Sequence, residues 1–335
     1  MRIATYNVEW FHTLFDGAGG LIRDDSWSGR RDVTKAKQTE ALITVFRALD
    51  ADAVLVVEAP DCSRGRDGVA ALRNFAEEAG IRARAVCMGF ANDTQQELML
   101  LYDPDVITAR HDPVDLGAPG FETEFRIDLD IDASEDVVQF SKPPLEVALE
   151  TPVGPLRLIG AHVKSKAPHG ARNEADVMRL AIANRRKQLA QCIWLRRRVE
   201  AHLKRGEALI VAGDLNDGPG LDEYEALFGR SGLEIVLGRE AEASQQMYDP
   251  HAAQALQSRI SAAPTTARFF LRHEGRYLQA LLDYVMVSPD LRTRAKGWHI
   301  WHPFDDPACW GQPEVRDALL TASDHFPVSL DLEAL

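Results

Sequence analysis

The sequence has few cysteines and no arrangement of them that would hold a metal or a set of disulfides. Its 335 residues include four cysteines that lie far apart and form no C-x-x-C pair: Cys62, Cys87, Cys192 and Cys309. Scattered cysteines are typical of small buried apolar side chains in a reducing compartment. This pattern argues against a disulfide-stapled domain and against a zinc site built on cysteine.

Long apolar runs are missing as well. No stretch approaches 18 apolar residues without a charge, and the opening MRIATYNVEW enters a predicted strand at once. We therefore expect a cytoplasmic protein with no membrane span. Nothing in the sequence indicates an obligate protein partner.

Basic residues are outnumbered by acidic ones. The 38 Lys and Arg against 51 Asp and Glu give a formal net charge of −13 at pH 7. A protein that coats nucleic acid with a basic face would show the opposite balance. Acidity does not exclude an enzyme that cuts phosphoesters, because a bound metal ion can supply positive charge at the phosphate.

What the sequence does contain is a mixed succession of strand and helix patterns. Short β-branched runs predict strands at Arg2–Val8, Ala53–Val57, Glu97–Tyr102, Leu145–Leu149, Leu156–Ala161, Ala208–Ala212 and Leu281–Val287, with a last strand in FPVSL. Helical patterns cover Thr34–Leu49, Val69–Ala79, Asp176–Lys204 and Asp222–Phe228. Strand–helix–strand order early in the chain, followed by successive strands over 97–161, favours two packed mixed sheets with helices outside.

The chain offers no clear point of division. At roughly 150 residues per domain its length fits two domains or one large one. No linker rich in Pro, Gly or Ser separates two halves, so we expect residues 1–335 to form one domain. The stretch Pro168–Arg198 is long and basic. As a helix, we expect much of it to form a solvated outer face, with Leu180, Leu189, Ile193 and Leu195 packed inward.

Polar residues of reactive types recur at the ends of the predicted strands: Asn7, Glu9, Glu58, His162, Asp214, Asn216, Asp283, Asp324 and His325. Each one alone is explained by a turn, a helix cap or a buried histidine. Turn chemistry does not predict so many of them together. Because strand ends at one edge of a sheet converge in space, their conjunction predicts a single site.

These residue types suit metal-assisted hydrolysis of a phosphoester. The separated carboxylates of Glu58 and Asp324 fit a hard cation such as Mg²⁺ or Mn²⁺, which would polarise a phosphoryl oxygen. Asp214 is a candidate to position or deprotonate the attacking water. His325 could either donate to the phosphoryl oxygen or take a proton, with Asp283 fixing its tautomer.

The motifs YNVEW, VVEAP, FSKPPLEV, GAHVKSK, VAGDLND, LLDYVMVS and SDHFPVSL follow one another over nearly the whole chain. In this combination the sequence resembles the endonuclease/exonuclease/phosphatase (DNase I-like) superfamily, most closely bacterial members of undefined substrate. The resemblance implies an α+β fold, a four-layer αββα sandwich in which two packed mixed β-sheets are flanked by helices. It implies a divalent metal on Glu58, with Asn7, Glu9 and Asp324 beside it.

The resemblance also implies roles for the remaining residues. Asp214 would orient or deprotonate the water, Asn216 and Asn7 would contact the phosphate, and Asp283 would hold His325. His162 matches a position where relatives contact the phosphate or the leaving group. Lys164, with Lys166, could meet substrate phosphate; a solvated basic edge is the alternative.

Two segments depart from the pattern of these relatives. Residues 94–96 read Thr-Gln-Gln where relatives commonly carry a glycine-containing segment, and we expect this to alter substrate contacts rather than the core chemistry. The segment His169–Asp176 could cover the site as a lid, or simply begin a helix.

Three functions remain open at this stage. The first is a divalent-metal-dependent phosphodiester hydrolase, a nuclease acting on DNA or RNA. The second is a phosphatase or phosphodiesterase for a small-molecule or lipid-headgroup phosphoester, which the acidity of the chain favours. The third is a non-catalytic binding protein of the same fold, since a fold alone does not settle function.

Overall fold

The computed structural model describes residues 1–63, 65–92, 94, 96–128, 135–168, 170, 173–219, 228–257, 263–271 and 275–334. One sheet is built from β1 (Arg2–Asn7), β2 (Ala53–Ala59), β3 (Ala85–Met88), β4 (Glu97–Tyr102), β14 (Ala295–Ile300) and β15 (Val328–Leu332). Its strand order is β14-β15-β1-β2-β4-β3. Strands β1 and β2 run parallel and the other neighbours run antiparallel, so the sheet is mixed.

The second sheet is built from β5 (Thr108–His111), β8 (Leu145–Thr151), β9 (Gly154–His162), β10 (Leu209–Asp214) and β13 (Asp283–Val287), in the order β13-β10-β9-β8-β5. Strands β9 and β10 are its parallel pair. Two short ribbons join β6 (Phe125–Ile127) to β7 (Asp136–Val138) and β11 (Ala267–Leu271) to β12 (Arg276–Ala280).

Apolar side chains fill the space between the two sheets. Ile3, Leu55 and Leu100 of the first sheet share one buried cluster with Leu158 and Ile210 of the second. Fully burying a side chain of this size stabilises the fold by about 1.5–3 kcal/mol. The alternation of strands therefore leaves one face of each sheet for this shared core and the other face for helices.

Helices cover both outer faces. On the first sheet lie α1 (Lys35–Leu49), α2 (Gly68–Ala79), α6 (Pro307–Trp310) and α7 (Pro313–Ala322). On the second lie α3 (Glu174–Lys204), α4 (Gly232–Leu237) and α5 (Pro250–Gln257). The layers are therefore helix, sheet, sheet and helix, which confirms the expected αββα sandwich.

Most long elements agree with the sequence-based bounds to within three residues. The Thr34 side chain accepts a hydrogen bond from the backbone N–H of Lys37 and so begins α1 where the pattern predicts it. The helix predicted at Asp222–Phe228 lies outside the described residues except at its last position. Among the described helices, none is long and apolar enough to cross a membrane.

The expectation for the basic helix is wrong in part. Arg185, Arg196 and Arg198 of α3 are buried rather than solvated. Arg198 forms a buried ion pair with Glu146 of β8 at 2.5 Å. Guanidinium groups enter the interior here because carboxylates and backbone carbonyls are placed to pair with them.

Candidate active site

Three site residues lie side by side at the end of the second sheet. Asp214, the last residue of β10, is in register with His162 on the parallel strand β9. It is also in register with Asp283 on the antiparallel strand β13. Gly213 precedes it with φ of +125°, and a Cβ there would lie 2.0 Å from the carbonyl oxygen of Ala161. Only glycine allows the strand to reach this point.

A cleft of about 1000 Å³ brings the predicted residues together. Of the site residues inferred from sequence, these line it: Asn7, Glu9, Glu58, His162, Lys164, Asp214, Asn216, Asp324 and His325. Asp283 does not line the cleft and instead lies behind His325. Both sheets contribute, since Asn7 ends β1 and Asp214 ends β10.

His325 is held by a buried carboxylate. Its Nδ1 lies 2.8 Å from Oδ2 of Asp283, which also accepts a hydrogen bond from Oγ1 of Thr266 at 2.8 Å. Burial by itself would lower the pKa of His325, but the carboxylates of Asp283, Asp214 and Asp324 raise it well above its ordinary value. These carboxylates therefore favour the protonated ring, and Nε2 is the ring nitrogen that Asp283 does not contact.

Asp214 is buried and fully engaged. Its Oδ2 accepts hydrogen bonds from the side-chain amides of Asn7 and Asn216, each at 3.1 Å, and its Oδ1 accepts from the backbone N–H of Asn216 at 2.7 Å. Burial and the neighbouring charge of Asp283 raise the pKa of Asp214 to about 7. A carboxylate with such a pKa is well matched to accepting a proton near neutral pH.

Asn216 holds Asp214 rather than facing the cleft with a free donor. Its side-chain Nδ2 donates to Asp214 and, at 3.0 Å, to the carbonyl oxygen of Val163. Both amide hydrogens have partners here, and the expectation that Asn216 contacts the phosphate stays a prediction. Its backbone is left-handed with φ of +49°, a conformation that asparagine adopts more readily than most residues other than glycine.

His162 is neutral and its tautomer follows from its neighbour. Burial, and then the charges of Lys142 and His325, hold the pKa of His162 well below its ordinary value. Nζ of Lys142 lies 3.2 Å from Nδ1 of His162. Since an ammonium group can only donate, Nδ1 accepts and Nε2 carries the proton. Nε2 lies 3.7 Å from Oδ2 of Asp214.

Glu58 lies at an irregularity of the first sheet. The pairing of β2 with β4 shifts register between Val57 and Ala59, and Glu58 between them is left-handed with φ of +61°. Such a bulge redirects a side chain out of the regular alternation. Its Oε2 accepts hydrogen bonds from the backbone N–H of Trp10 at 3.3 Å and from the side-chain amide of Gln96. Burial raises the pKa of Glu58.

The donor set around Glu58 fits a hard divalent cation. Asn7 Oδ1 is buried and has no hydrogen-bond partner within the described residues. The pKa of Asp324 is raised to about 7 by burial, and Glu9 and Glu58 add to that increase. Unpaired oxygen ligands beside carboxylates that repel one another are what Mg²⁺ or Mn²⁺ would stabilise. Glu9 is the least available member, because its Oε2 pairs with Arg30.

Several residues of the site were not identified from sequence. Lys142 and Gln96 contact each other, and together they bridge His162 and Glu58. Gln96 belongs to the segment expected to alter substrate contacts, yet it contacts the candidate metal ligand itself. Thr266, which donates to Asp283, carries no motif that would single it out. The sequence feature that could have identified Lys142 is its position in the motif FSKPPLEV.

The two lysines expected at the substrate phosphate, Lys164 and Lys166, both line the cleft, but they differ in their contacts. Lys164 lines the cleft, and burial lowers its pKa. Lys166 also lines the cleft but pairs with Asp217. In the segment His169–Asp176, residues 169, 171 and 172 lie outside the described part of the chain, so the expectation of a lid stays a prediction.

Comparison with known proteins agrees with this architecture. A sequence model described as Endonuclease/Exonuclease/phosphatase family matches residues 4–325. No curated protein matches the sequence significantly. Truncated TDP2 from Caenorhabditis elegans is similar in structure, with a TM-score of 0.51 and 12% identity over 99% of this chain and 97% of that one.

Two further solved structures are similar at the same level. A 3′-5′ exonuclease from Neisseria meningitidis has a TM-score of 0.50 and 12% identity, covering 99% of this chain and 100% of that one. A mannosyl-6-phosphatase from Bacteroides thetaiotaomicron has a TM-score of 0.50 and 14% identity, covering 99% of each chain. At these identities the likeness shows a shared fold and leaves substrate open.

Proposed function

The chain belongs to the endonuclease/exonuclease/phosphatase family, and on that premise we propose that it is a phosphodiester hydrolase that depends on Mg²⁺ or Mn²⁺ and cuts nucleic acid. The observation that carries the proposal is the His325–Asp283 pair, 2.8 Å apart, beside Asp214 in the cleft that Glu58 and Asp324 also line. This is the set of groups that metal-assisted attack of water on a phosphorus atom requires.

The metal would be held by Glu58, Asp324 and Oδ1 of Asn7. When bound, it supplies positive charge that polarises a phosphoryl oxygen and stabilises the charge developing there. Glu9, already paired with Arg30, would support the site through its charge rather than as a ligand. The raised pKa values of Glu58 and Asp324 mean that protons compete with the metal for these oxygens.

Asp214 would position and deprotonate the water. Asn7 and Asn216 fix its carboxylate from two sides, which keeps one geometry available for the attack. Its pKa of about 7 makes the ionised form accessible at neutral pH while leaving it basic enough to take a proton.

His325 would donate to a phosphoryl oxygen. Nδ1 of His325 donates to Asp283, whose negative charge favours the protonated ring. The proton on Nε2 is then the one that can be donated to a phosphoryl oxygen in the cleft. A fixed cationic donor at the point where negative charge accumulates contributes about 10²–10³-fold to the rate. His162, neutral with its proton on Nε2, would be a second donor, to the phosphate or to the leaving group.

We further propose that residues 1–335 act as one domain. Asn7 and Glu58 come from the first sheet, and His162 and Asp214 come from the second. Neither sheet alone would carry the reaction.

A second candidate is a phosphatase for a small phosphomonoester. Its support is the net charge of −13, which disfavours an extended polyanion, and a cleft volume within the range that small ligands occupy. A protein of this fold is named a mannosyl-6-phosphatase, so the architecture admits that reaction.

The test compares bis-p-nitrophenyl phosphate with p-nitrophenyl phosphate, each with Mg²⁺, with Mn²⁺ and with a chelator, for the protein and for D214N. Metal-dependent diester hydrolysis that D214N lacks would support the proposal. A preference for the monoester would favour the second candidate. Absence of metal-dependent hydrolysis of both, together with no Mg²⁺ binding by calorimetry, would contradict both.

A further inference from the structure

An exposed tryptophan lies at the mouth of the cleft. Trp10 is among the residues that line the cleft, and it is 43% exposed. Its backbone N–H donates to Oε2 of Glu58 at 3.3 Å, so the hydrogen bond holds Trp10 next to the candidate metal ligand. Trp27 and Trp310 are also exposed, but they are not among the described residues that line the cleft.

Trp10 is held in this position by a strained backbone conformation. Trp10 is left-handed, with φ of +57° and ψ of +36°, which is a strained conformation for a bulky residue. Its carbonyl oxygen accepts hydrogen bonds from the backbone N–H of Thr13 at 3.0 Å and from the Thr13 hydroxyl at 2.8 Å. A Cβ on Gly29 would lie 2.4 Å from Cβ and Cγ of Trp10, so only glycine allows the contact.

The His325 side of the cleft is apolar as well. The ring of Phe269 packs edge-on against the His325 ring, with centroids 5.4 Å apart. Phe269, Leu271 and Leu278 of the β11–β12 ribbon line the cleft together with Val177 of α3. The groups that would act on the phosphate therefore carry an aromatic neighbour on each side: Trp10 at Glu58 and Phe269 at His325.

We propose that Trp10 is a specificity-determining residue that stacks on a nucleobase next to the scissile phosphate, so that the substrate is single-stranded nucleic acid. This rests on the proposed function and narrows it. A base inside a duplex is already stacked on both faces, whereas an unpaired base presents its face to an aromatic side chain.

The small number of basic residues in the cleft also favours a single-stranded substrate over a duplex. Binding along a duplex depends on many phosphate contacts from Lys and Arg. The basic residues that line the cleft are Lys142, Lys164, Lys166 and Arg185. Lys166 and Arg185 both pair with Asp217, and the chain as a whole is acidic. Base stacking supplies affinity that does not depend on a basic surface, since it comes from the contact between two flat apolar faces.

The experiment measures kcat/KM on single-stranded octathymidylate and on an octamer of the same backbone with tetrahydrofuran residues in place of the nucleosides. The variants are W10A, W10F and, as a matched exposed tryptophan outside the cleft, W310A. We expect the protein to prefer the octathymidylate. W10A should lower that kcat/KM by about 5- to 150-fold, mainly through KM, and leave the abasic rate nearly unchanged. W10F should retain most of the preference, and W310A should match the unmodified protein.

Each other outcome overturns the inference. If W10A lowers both rates equally, Trp10 acts on Glu58 and does not read a base. Equal rates on both oligomers in the unmodified protein, or an equal rate on the octathymidylate paired with its complement, would remove base stacking as the basis of selection. If neither oligomer is cut while bis-p-nitrophenyl phosphate is hydrolysed, this inference fails and the phosphodiesterase stands. If that diester is also inert, the proposed function itself fails.

Discussion

Asp214 and Asp283 face each other directly across the antiparallel strands β10 and β13. Two carboxylates in opposed positions of a sheet repel, and both are buried. The imidazole of His325 lies 2.8 Å from Asp283 and offsets part of that repulsion. An arrangement that costs stability in this way is typical of a site built for chemistry rather than for folding.

Replacing Asp214 by asparagine should abolish turnover and leave the fold intact. The variant removes the proton acceptor while keeping its size, so kcat should fall at least about 100-fold. The assay is diester hydrolysis beside a thermal melt followed by circular dichroism. D249N is the matched control, because Asp249 is another buried aspartate whose pKa burial raises, to about 6, and it does not line the cleft. It should change stability without changing kcat. A near-normal kcat in D214N would remove Asp214 from the reaction.

Replacing Glu58 by glutamine should weaken metal binding. Glutamine can still accept the hydrogen bond from the Trp10 backbone, but it lacks the negative charge that holds a hard cation. We expect the Mg²⁺ Kd measured by calorimetry to rise at least about tenfold. E9Q is the comparison, because Glu9 lines the same cleft with its carboxylate already paired to Arg30, and its effect should be smaller. Equal effects of the two variants would contradict this division of roles.

The residues at strand ends are predictable from sequence because buried strands are visible as apolar runs. Asn7, His162 and Asp214 end such runs, and strand direction then brings them to one edge. The same reasoning cannot find Lys142 or Gln96. Both lie on loops just before a strand, and their positions depend on how the two sheets pack.

Backbone conformation and short elements escape prediction for a related reason. The left-handed φ of Glu58 is imposed by the bulge in β2, and nothing in VVEAP indicates it. Strands β3 and β5 have four residues each and no clean apolar alternation, so their pairing to longer neighbours decides their conformation. The buried arginines of α3 resemble solvated ones in sequence, because their partners lie far away along the chain.

Replacing Lys142 by methionine should change the tautomer and the pKa of His162. Loss of the ammonium removes the donor to His162 Nδ1, along with a positive charge that helps to hold the pKa of His162 low. We expect the imidazole to populate both tautomers and its pKa to rise, as measured from the ¹⁵N shifts of the ring. Rescue by K142R, which restores a cation and a donor, distinguishes this positioning role from simple loss of packing. Unchanged ring shifts in K142M would contradict it.

Replacing Asp283 by asparagine should move the alkaline limb of the pH–rate profile. Asp283 raises the pKa of His325 against the effect of burial, and the proposed donor is active only when protonated. Activity should therefore fall as pH rises through that pKa. In D283N the pKa drops, so the fall begins at lower pH. H325A should remove the limb and cost about 10²–10³-fold in kcat. An alkaline limb at the same pH in D283N would show that another group produces it.

Replacing Arg198 by methionine should destabilise the fold without touching the cleft. Nε and Nη2 of Arg198 donate to Oε1 of Glu146 at 3.0 and 2.5 Å, and Nη1 donates to the carbonyl oxygen of Ala118 at 3.0 Å. Removing the cation leaves Glu146 buried beside only the more distant imidazole of His202, whose Nε2 lies 3.7 Å from Oε1. Breaking a buried ion pair in this way costs about 3–5 kcal/mol in free energy of unfolding. Urea denaturation measures this cost. The double variant R198M/E146L removes both charges and should recover much of the stability, because an apolar pair needs no compensation. If the double variant is as unstable as R198M, the loss comes from the backbone contacts of Arg198 and not from the stranded carboxylate.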